Sequence, residues 1–128
     1  MKKKIKKINA SILIIGNEIL SGRTQDKNII FLSNWLNLNC GISVNEVRII
    51  PDIEKTIVEN ILHLSKKFNY VFTTGGIGPT HDDITAQSIS KAFKVKYEYH
   101  SEAYSILEKY YGKKKFHEGS KKSAKMPK

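Results

Sequence analysis

Tyr70-Val-Phe-Thr-Thr-Gly-Gly-Ile-Gly-Pro-Thr-His-Asp-Asp-Ile-Thr85 carries most of what this chain says about itself. Its start, Tyr70 to Thr73, is a short apolar and β-branched run of the kind that forms a buried strand. The strand runs into a glycine-rich turn at Gly75, Gly76, Gly78 and Pro79. A helix is then expected from about Asp82 to Phe93, opening on two adjacent carboxylates, Asp82 and Asp83. Glycines let backbone approach a ligand closely and present free N–H groups to it. A helix start adds further free N–H groups and the positive end of a macrodipole. The combination reads as a phosphate seat, with carboxylates beside it suited to a divalent metal.

The rest of the chain repeats this strand-then-helix rhythm. Ser11-Ile-Leu-Ile-Ile15 is a continuous apolar run of the type buried on both faces of a parallel sheet. Ile29, Leu32, Trp35 or Leu36, and Leu38 follow at helical spacing, and Asn39 and Gly41 end that stripe. Ile42 to Ile50 has strand character. Pro51-Asp52 then opens a second helix, with Ile53, Ile57, Ile61, Leu64 and Phe68 on one side. A short extended piece, Val95 to Tyr99, precedes a last helix from Ser101 to Tyr111. Three such units in succession predict an α/β domain with a mainly parallel sheet and helices on both faces. Ligands in such sheets bind outside the carboxyl ends of the strands. The polar clusters fall there: Glu18–Asp26 after the first strand, Asp52 after the second, Gly75–Asp83 after the third.

Composition sets the class. The chain has 128 residues, 40% apolar and 27% charged, which fits one soluble globular domain, taken as residues 8–128. The formal charge of +10 looks like a nucleic-acid signature until it is located. Residues 1–7 form a lysine-rich lead, and seven further lysines lie in residues 113–128, so the body between them is close to neutral. Both basic stretches read as solvated tails, without interleaved aromatics at a nucleic-acid-binding spacing, and a nucleic-acid partner is not expected. The single cysteine, Cys40, excludes an internal disulfide and reads as a small buried hydrophobe in a reducing compartment. With no signal-peptide pattern and no apolar run of membrane-spanning length, the expected location is cytoplasmic and no membrane partner is expected.

Several of these residues admit two readings. Thr80 can cap a helix with Asp83 completing a capping box, or the acid pair can hold a metal against phosphate. Asp52 can be a plain N-cap or can face the ligand. Ser21 and the Gly22 backbone suit an anion, and Asp26 suits a helix cap. His63 and His100 read as surface or boundary residues, and Trp35 as core. His81 adjoins the acids. The glycine turn lacks the Lys-Ser/Thr of a P-loop, and its spacing differs from the dinucleotide fingerprint. No Ser-His-Asp or Cys-His arrangement stands out, which disfavours covalent catalysis.

Ile14-Ile-Gly-Asn-Glu-Ile-Leu-Ser-Gly-Arg23, Asp26-Lys27-Asn28, Pro51-Asp52 and Thr73-Thr-Gly-Gly-Ile-Gly-Pro-Thr-His-Asp-Asp-Ile-Thr85 resemble the N-terminal domain of the CinA competence/damage-inducible family, in the MoaB/Mog-type molybdopterin-binding superfamily. The resemblance implies a three-layer α/β/α sandwich. It implies a phosphate-binding loop at Thr74, Gly75, Gly76, Gly78, Pro79 and Thr80, with Glu18, Ser21, Gly22 and Asp26 contributing from the first loop. Asp52 and Asp83 match the superfamily's functional aspartates, and Asp82 and Asp83 are the expected metal ligands. The implied ligand is a nucleotide or molybdopterin phosphate, with Mg²⁺ or another divalent cation as cofactor. The Asp82-Asp83 version of the loop resembles members associated with pyrophosphate hydrolysis of ADP-ribose; molybdenum-cofactor biosynthesis and a non-catalytic binding module are the alternatives. Around Phe116–Pro127 the chain departs from the family, with His117 and Ser120 where Asn and Arg are usual. It also ends where the family continues into further strands and a helix. The expectation that follows is an exposed sheet edge or apolar patch and a homo-oligomer.

Overall fold

The computed structural model describes residues 7–128, so the lysine lead lies outside the described residues except for Lys7. At its centre is β1 (Asn9–Ile15), in which every residue from Ala10 to Ile15 is at most 2% exposed. Successive side chains of a strand point to opposite faces. A strand buried at every position therefore has a layer on each side, which gives the α/β/α sandwich. Leu13 and Ile15 share a core cluster with Ile57, Ile61 and Leu64 of α3 (Glu54–Lys67). Their spacing of four and three residues puts those side chains on one helix face. Lys66 and Lys67 in its last turn complement the dipole.

The sheet is parallel throughout, in the order β2 (Ser43–Ile50), β1, β3 (Tyr70–Thr74). Ile15 pairs with Ile50, and Ile14 pairs with Thr74, so all three strands end at one level. Because the connection from β2 to β3 crosses β1, the strand order reverses between β1 and β3. Such a reversal opens a crevice at the carboxyl ends of those two strands.

The first crossover contains α1 (Asn17–Leu20) and α2 (Asn28–Trp35), the latter running on as a π-helical turn over Leu36–Cys40 until Gly41 stops it at φ +64°. Here the structure corrects the sequence reading. Ile29 and Leu32 are partly buried and Leu36 fully so, but Trp35 is 48% and Leu38 83% exposed, and Cys40 is exposed too. The wider π turn holds more residues per turn, which takes the residues after Leu36 out of phase with the buried stripe. Leu38 thereby joins Ile30, Phe31 and Trp35, which are exposed on α2 ahead of that turn, in an open apolar face.

A second correction concerns the basic C-terminal stretch, which is not a solvated tail. After α4 (Thr85–Phe93) the chain forms β4 (Tyr97–Tyr99), α5 (Ser101–Tyr111), α6 (Glu118–Lys122) and β5 (Lys125–Pro127). Strand β5 pairs antiparallel with β4, and the His100 N–H donates to the Ala124 carbonyl at 2.7 Å. Phe116 and Ala124 are buried, with Phe116 edge-on to Tyr104 at 5.0 Å between ring centroids. The lysines are spaced by these apolar residues, and the apolar residues decide where the segment lies. Among the described residues no helix is long and apolar enough to cross a membrane.

Candidate functional site

Three loops meet at the carboxyl ends of the strands, and glycine explains how closely they meet. Gly75 has φ +89° and Gly76 φ +66°, a region where L side chains are strained. A Cβ on Gly75 would overlap the Ile15 carbonyl oxygen, and one on Gly76 would overlap Thr85 Oγ1. Thr85, 1% exposed, ties the loop from below. Its hydroxyl donates to the Gly75 carbonyl at 2.8 Å, and its N–H to the Gly76 carbonyl at 3.1 Å. Thr85→Val is expected to lower stability by about 1–2 kcal/mol, since it leaves a part-buried carbonyl short of a donor. A urea melt with an unchanged m-value would register it.

Asp52 reaches the same loop from β2. Its backbone N–H donates to Asn17 Oδ1 at 3.2 Å, which joins the first loop to the second. Its Oδ1 lies 3.3 Å from the ideal Cβ position of Gly76, out of solvent and without a hydrogen-bond partner. Asp52 is not the cap of α3, whose preceding residue is Ile53 with no side-chain cap bond. Burial pushes the Asp52 carboxyl above the ordinary carboxylate range; a hydrogen bond from the Asn17 backbone N–H to the carboxylate opposes this, and the charges of Glu18, Asp83 and Asp82 add to it.

Asp83 behaves in the opposite sense. Burial alone would raise it, but hydrogen bonds from the Thr80 side chain, the Thr80 N–H and the Gly78 N–H, with the Lys122 charge, hold it below the ordinary range. The Thr80 hydroxyl and N–H reach Asp83 Oδ2 at 2.8 and 3.0 Å. This engagement corrects the expected helix start. Asp82 and Asp83 lie in a turn, with the Asp83 N–H on the Thr80 carbonyl, and α4 begins only at Thr85. α4 therefore opens after the acid pair and not on it. Asp82 is 85% exposed beside His81, at 3.3 Å.

The remaining residues sort by loop. Glu18, Asp26, Thr74 and Gly75 line one cavity of about 360 Å³. Asp26 also accepts the Ile29 N–H at 2.9 Å, capping the start of α2. Ser21 and Gly22 are exposed, and the Ser21 hydroxyl donates to the Glu18 carbonyl at 3.3 Å. Gly76, Gly78 and Asp83 line a second cavity of about 370 Å³ together with Tyr97, Lys122, Ser123 and Lys125. Pro79 and Thr80 are exposed on its outer loop. Sequence reading missed Asn17, Thr85, Tyr97 and Lys122. Thr85 stood in the diagnostic block; Lys122 was hidden inside what read as a charge run.

Among the described residues no group of three or more His, Cys, Asp or Glu is placed to hold a metal. Thr80 occupies only Oδ2 of Asp83, and Asp52 Oδ1 is unpartnered. A cation such as Mg²⁺ takes one or two carboxylates and completes its shell with water and substrate phosphate, and Asp83, with Oδ1 left free by Thr80, is the carboxylate that would face it.

Sheet order, crevice and glycine loop define a class, and the sequence family agrees with them. The model described as "Probable molybdopterin binding domain" matches residues 11–126, and the chain belongs to that family. Within it, the chain is 39% identical over 106 residues to a "Putative competence-damage inducible protein" of Pediococcus pentosaceus, covering 83% of this chain and 25% of that protein. The crystal structure of CinA from Thermoplasma acidophilum superposes with a TM-score of 0.85 at 30% identity, over 94% of this chain and 71% of that one. MoaB from Thermus thermophilus shares the fold, with a TM-score of 0.66 at 17% identity, over 94% of this chain and 74% of that one. The chain spans less than half the length of the curated relatives it matches.

Proposed function

We propose that this domain binds the phosphates of a nucleotide at the glycine loop and, with a divalent cation, hydrolyses the pyrophosphate of an ADP-ribose-type substrate. The observation that carries the reading is the pair of aspartates with opposite tendencies beside one glycine loop. Asp52 is pushed toward its neutral form and has a bare Oδ1, while Asp83 is held ionised. Two carboxylates whose environments drive them apart suit different roles in one reaction. Gly76 and Gly78 line the cavity in which a phosphate would sit, and Lys122 and Lys125 bring positive charge to it. The Asp52 carboxylate is the group that takes a proton from an attacking water. Asp83 Oδ1, with Asp82 from the same turn, is the cation-facing group. A bound Mg²⁺ would neutralise charge on the phosphate oxygens.

Incubation with ADP-ribose and Mg²⁺ tests this, with AMP release as the readout. Asp83→Asn keeps the shape but loses the charge, and AMP release is expected to fall roughly tenfold to a hundredfold with the fold intact. Equal rates in the two proteins would remove Asp83 from the reaction.

The description of the matching family favours a second reading, molybdopterin binding in molybdenum-cofactor biosynthesis. Binding of a pterin phosphate in preference to adenosine nucleotides would select it. Ligand binding without Mg²⁺-dependent turnover would instead indicate a non-catalytic module. Self-association through the open apolar face of α2 is part of the proposal, and sedimentation velocity of the purified chain against a Leu38→Glu variant reads it directly.

A further inference from the structure

The Thr80–Asp83 turn is held by a residue 39 positions away from Asp83. The Lys122 ammonium, on the last residue of α6, donates to the Thr80 carbonyl and, at 2.5 Å, to the Asp83 carbonyl. Two carbonyl oxygens of one turn thus converge on a single tethered cation. The Thr80 oxygen also accepts the Asp83 N–H, and the Thr80 N–H and hydroxyl both bind the Asp83 carboxylate. Lys122, the turn backbone and the carboxylate form one connected network, and members of such a network reinforce one another. The ammonium is itself fixed by its surroundings. Buried Ala124 anchors the segment, β5 pairs with β4, and the ideal Cβ position of Gly119 lies 3.6 Å from Pro79, so α6 rests on the glycine loop.

We infer that Lys122 is the positioning residue of the site. Its ammonium clamps the acidic turn from the far end of the chain and thereby aims the Asp83 carboxylate into the cavity lined by Gly76 and Gly78. The inference rests on the reading that Asp83 serves the ligand. An ammonium suits the task because it is compact and its three donors can be shared between two carbonyls. A guanidinium is planar, larger and less able to enter the turn.

Hydrogen exchange read by mass spectrometry on the ligand-free chain tests the clamp. In Lys122→Ala, exchange in residues 76–84 is expected to rise roughly tenfold to a hundredfold, while β1 and α3 keep their wild-type protection. Added n-butylammonium chloride is expected to restore part of that protection, and Lys122→Arg to restore less than the native lysine. Lys122→Met keeps the aliphatic stem and serves where the alanine variant loses its fold. Unchanged exchange in residues 76–84 of Lys122→Met would overturn the inference. So would loosening confined to residues 118–127, because the lysine would then anchor only its own helix. Exchange needs no turnover, so a failure of ADP-ribose hydrolysis in every variant leaves the clamp standing. Conversely, an unchanged loop leaves the role of Asp83 untouched.

Discussion

Gly75→Ala is expected to lose about 4 kcal/mol or more, which removes a large share of the stability of a domain this size. Two independent terms add. Holding a side chain at φ +89° is strained by about 1–3 kcal/mol. The new methyl would also overlap the Ile15 carbonyl, which is backbone of the buried central strand and cannot swing aside. Relief would require β1 and β3 to separate at the ends where they define the crevice. Gly22→Ala is the control. Its φ is +78°, but nothing lies within 4 Å of its ideal Cβ, so only the strain term remains, about 1 kcal/mol. Chemical denaturation of both proteins separates the terms. If Gly75→Ala falls within about 1 kcal/mol of Gly22→Ala, the close approach to β1 is not there.

Asp52→Asn is expected to change stability and turnover in opposite directions. Burial raises the native carboxyl, so its stabilising contribution is full below the unfolded carboxylate pKa of about 4 and is lost as pH rises through the native value. Near neutrality the wild-type chain therefore carries the cost of an ionised, partly desolvated group. An amide of the same shape removes that charge, keeps the backbone bond to Asn17 and should raise stability by about 1 kcal/mol at pH 7. The gain should shrink as the pH falls below the ordinary carboxylate range, where the native acid is neutral as well. Turnover should fall by about a hundredfold to ten-thousandfold, the usual consequence of losing a proton acceptor. Thermal melts at two pH values and AMP release under one set of conditions measure both. A destabilised Asp52→Asn at pH 7 would mean that the Asn17 N–H bond to the carboxylate outweighs the cost of burying its charge.

The scaffold was readable because its signals are redundant. An uninterrupted apolar run at Ser11–Ile15 can sit only where both faces are covered, and Ile57, Ile61 and Leu64 keep step with a helix facing it. The meeting of Asp52 with the glycine loop was legible for the same reason, since strand ends in a parallel sheet share one edge. What failed was whatever depended on competition between local and distant partners. Asp83 looked like a helix-opening acid, but the side chain of Thr80 claims it and postpones the helix to Thr85. Leu38 kept the apolar spacing of its helix until one π turn put it outside. Lys122 was one charge among many, and only the tertiary course of Phe116–Pro127 gives it carbonyls to hold.

Strand β5 brings Met126 to the cavity that Gly76 and Asp83 line, and Pro127 into register with Tyr97. Anything fused after Lys128 would therefore leave the fold close to that cavity. An affinity handle or reporter added at that end stands to obstruct entry, and a polyhistidine tail would bring metal-chelating groups to a place where metal dependence is to be measured. Assays on this chain call for tags at the opposite terminus, or for their removal before any nucleotide is added.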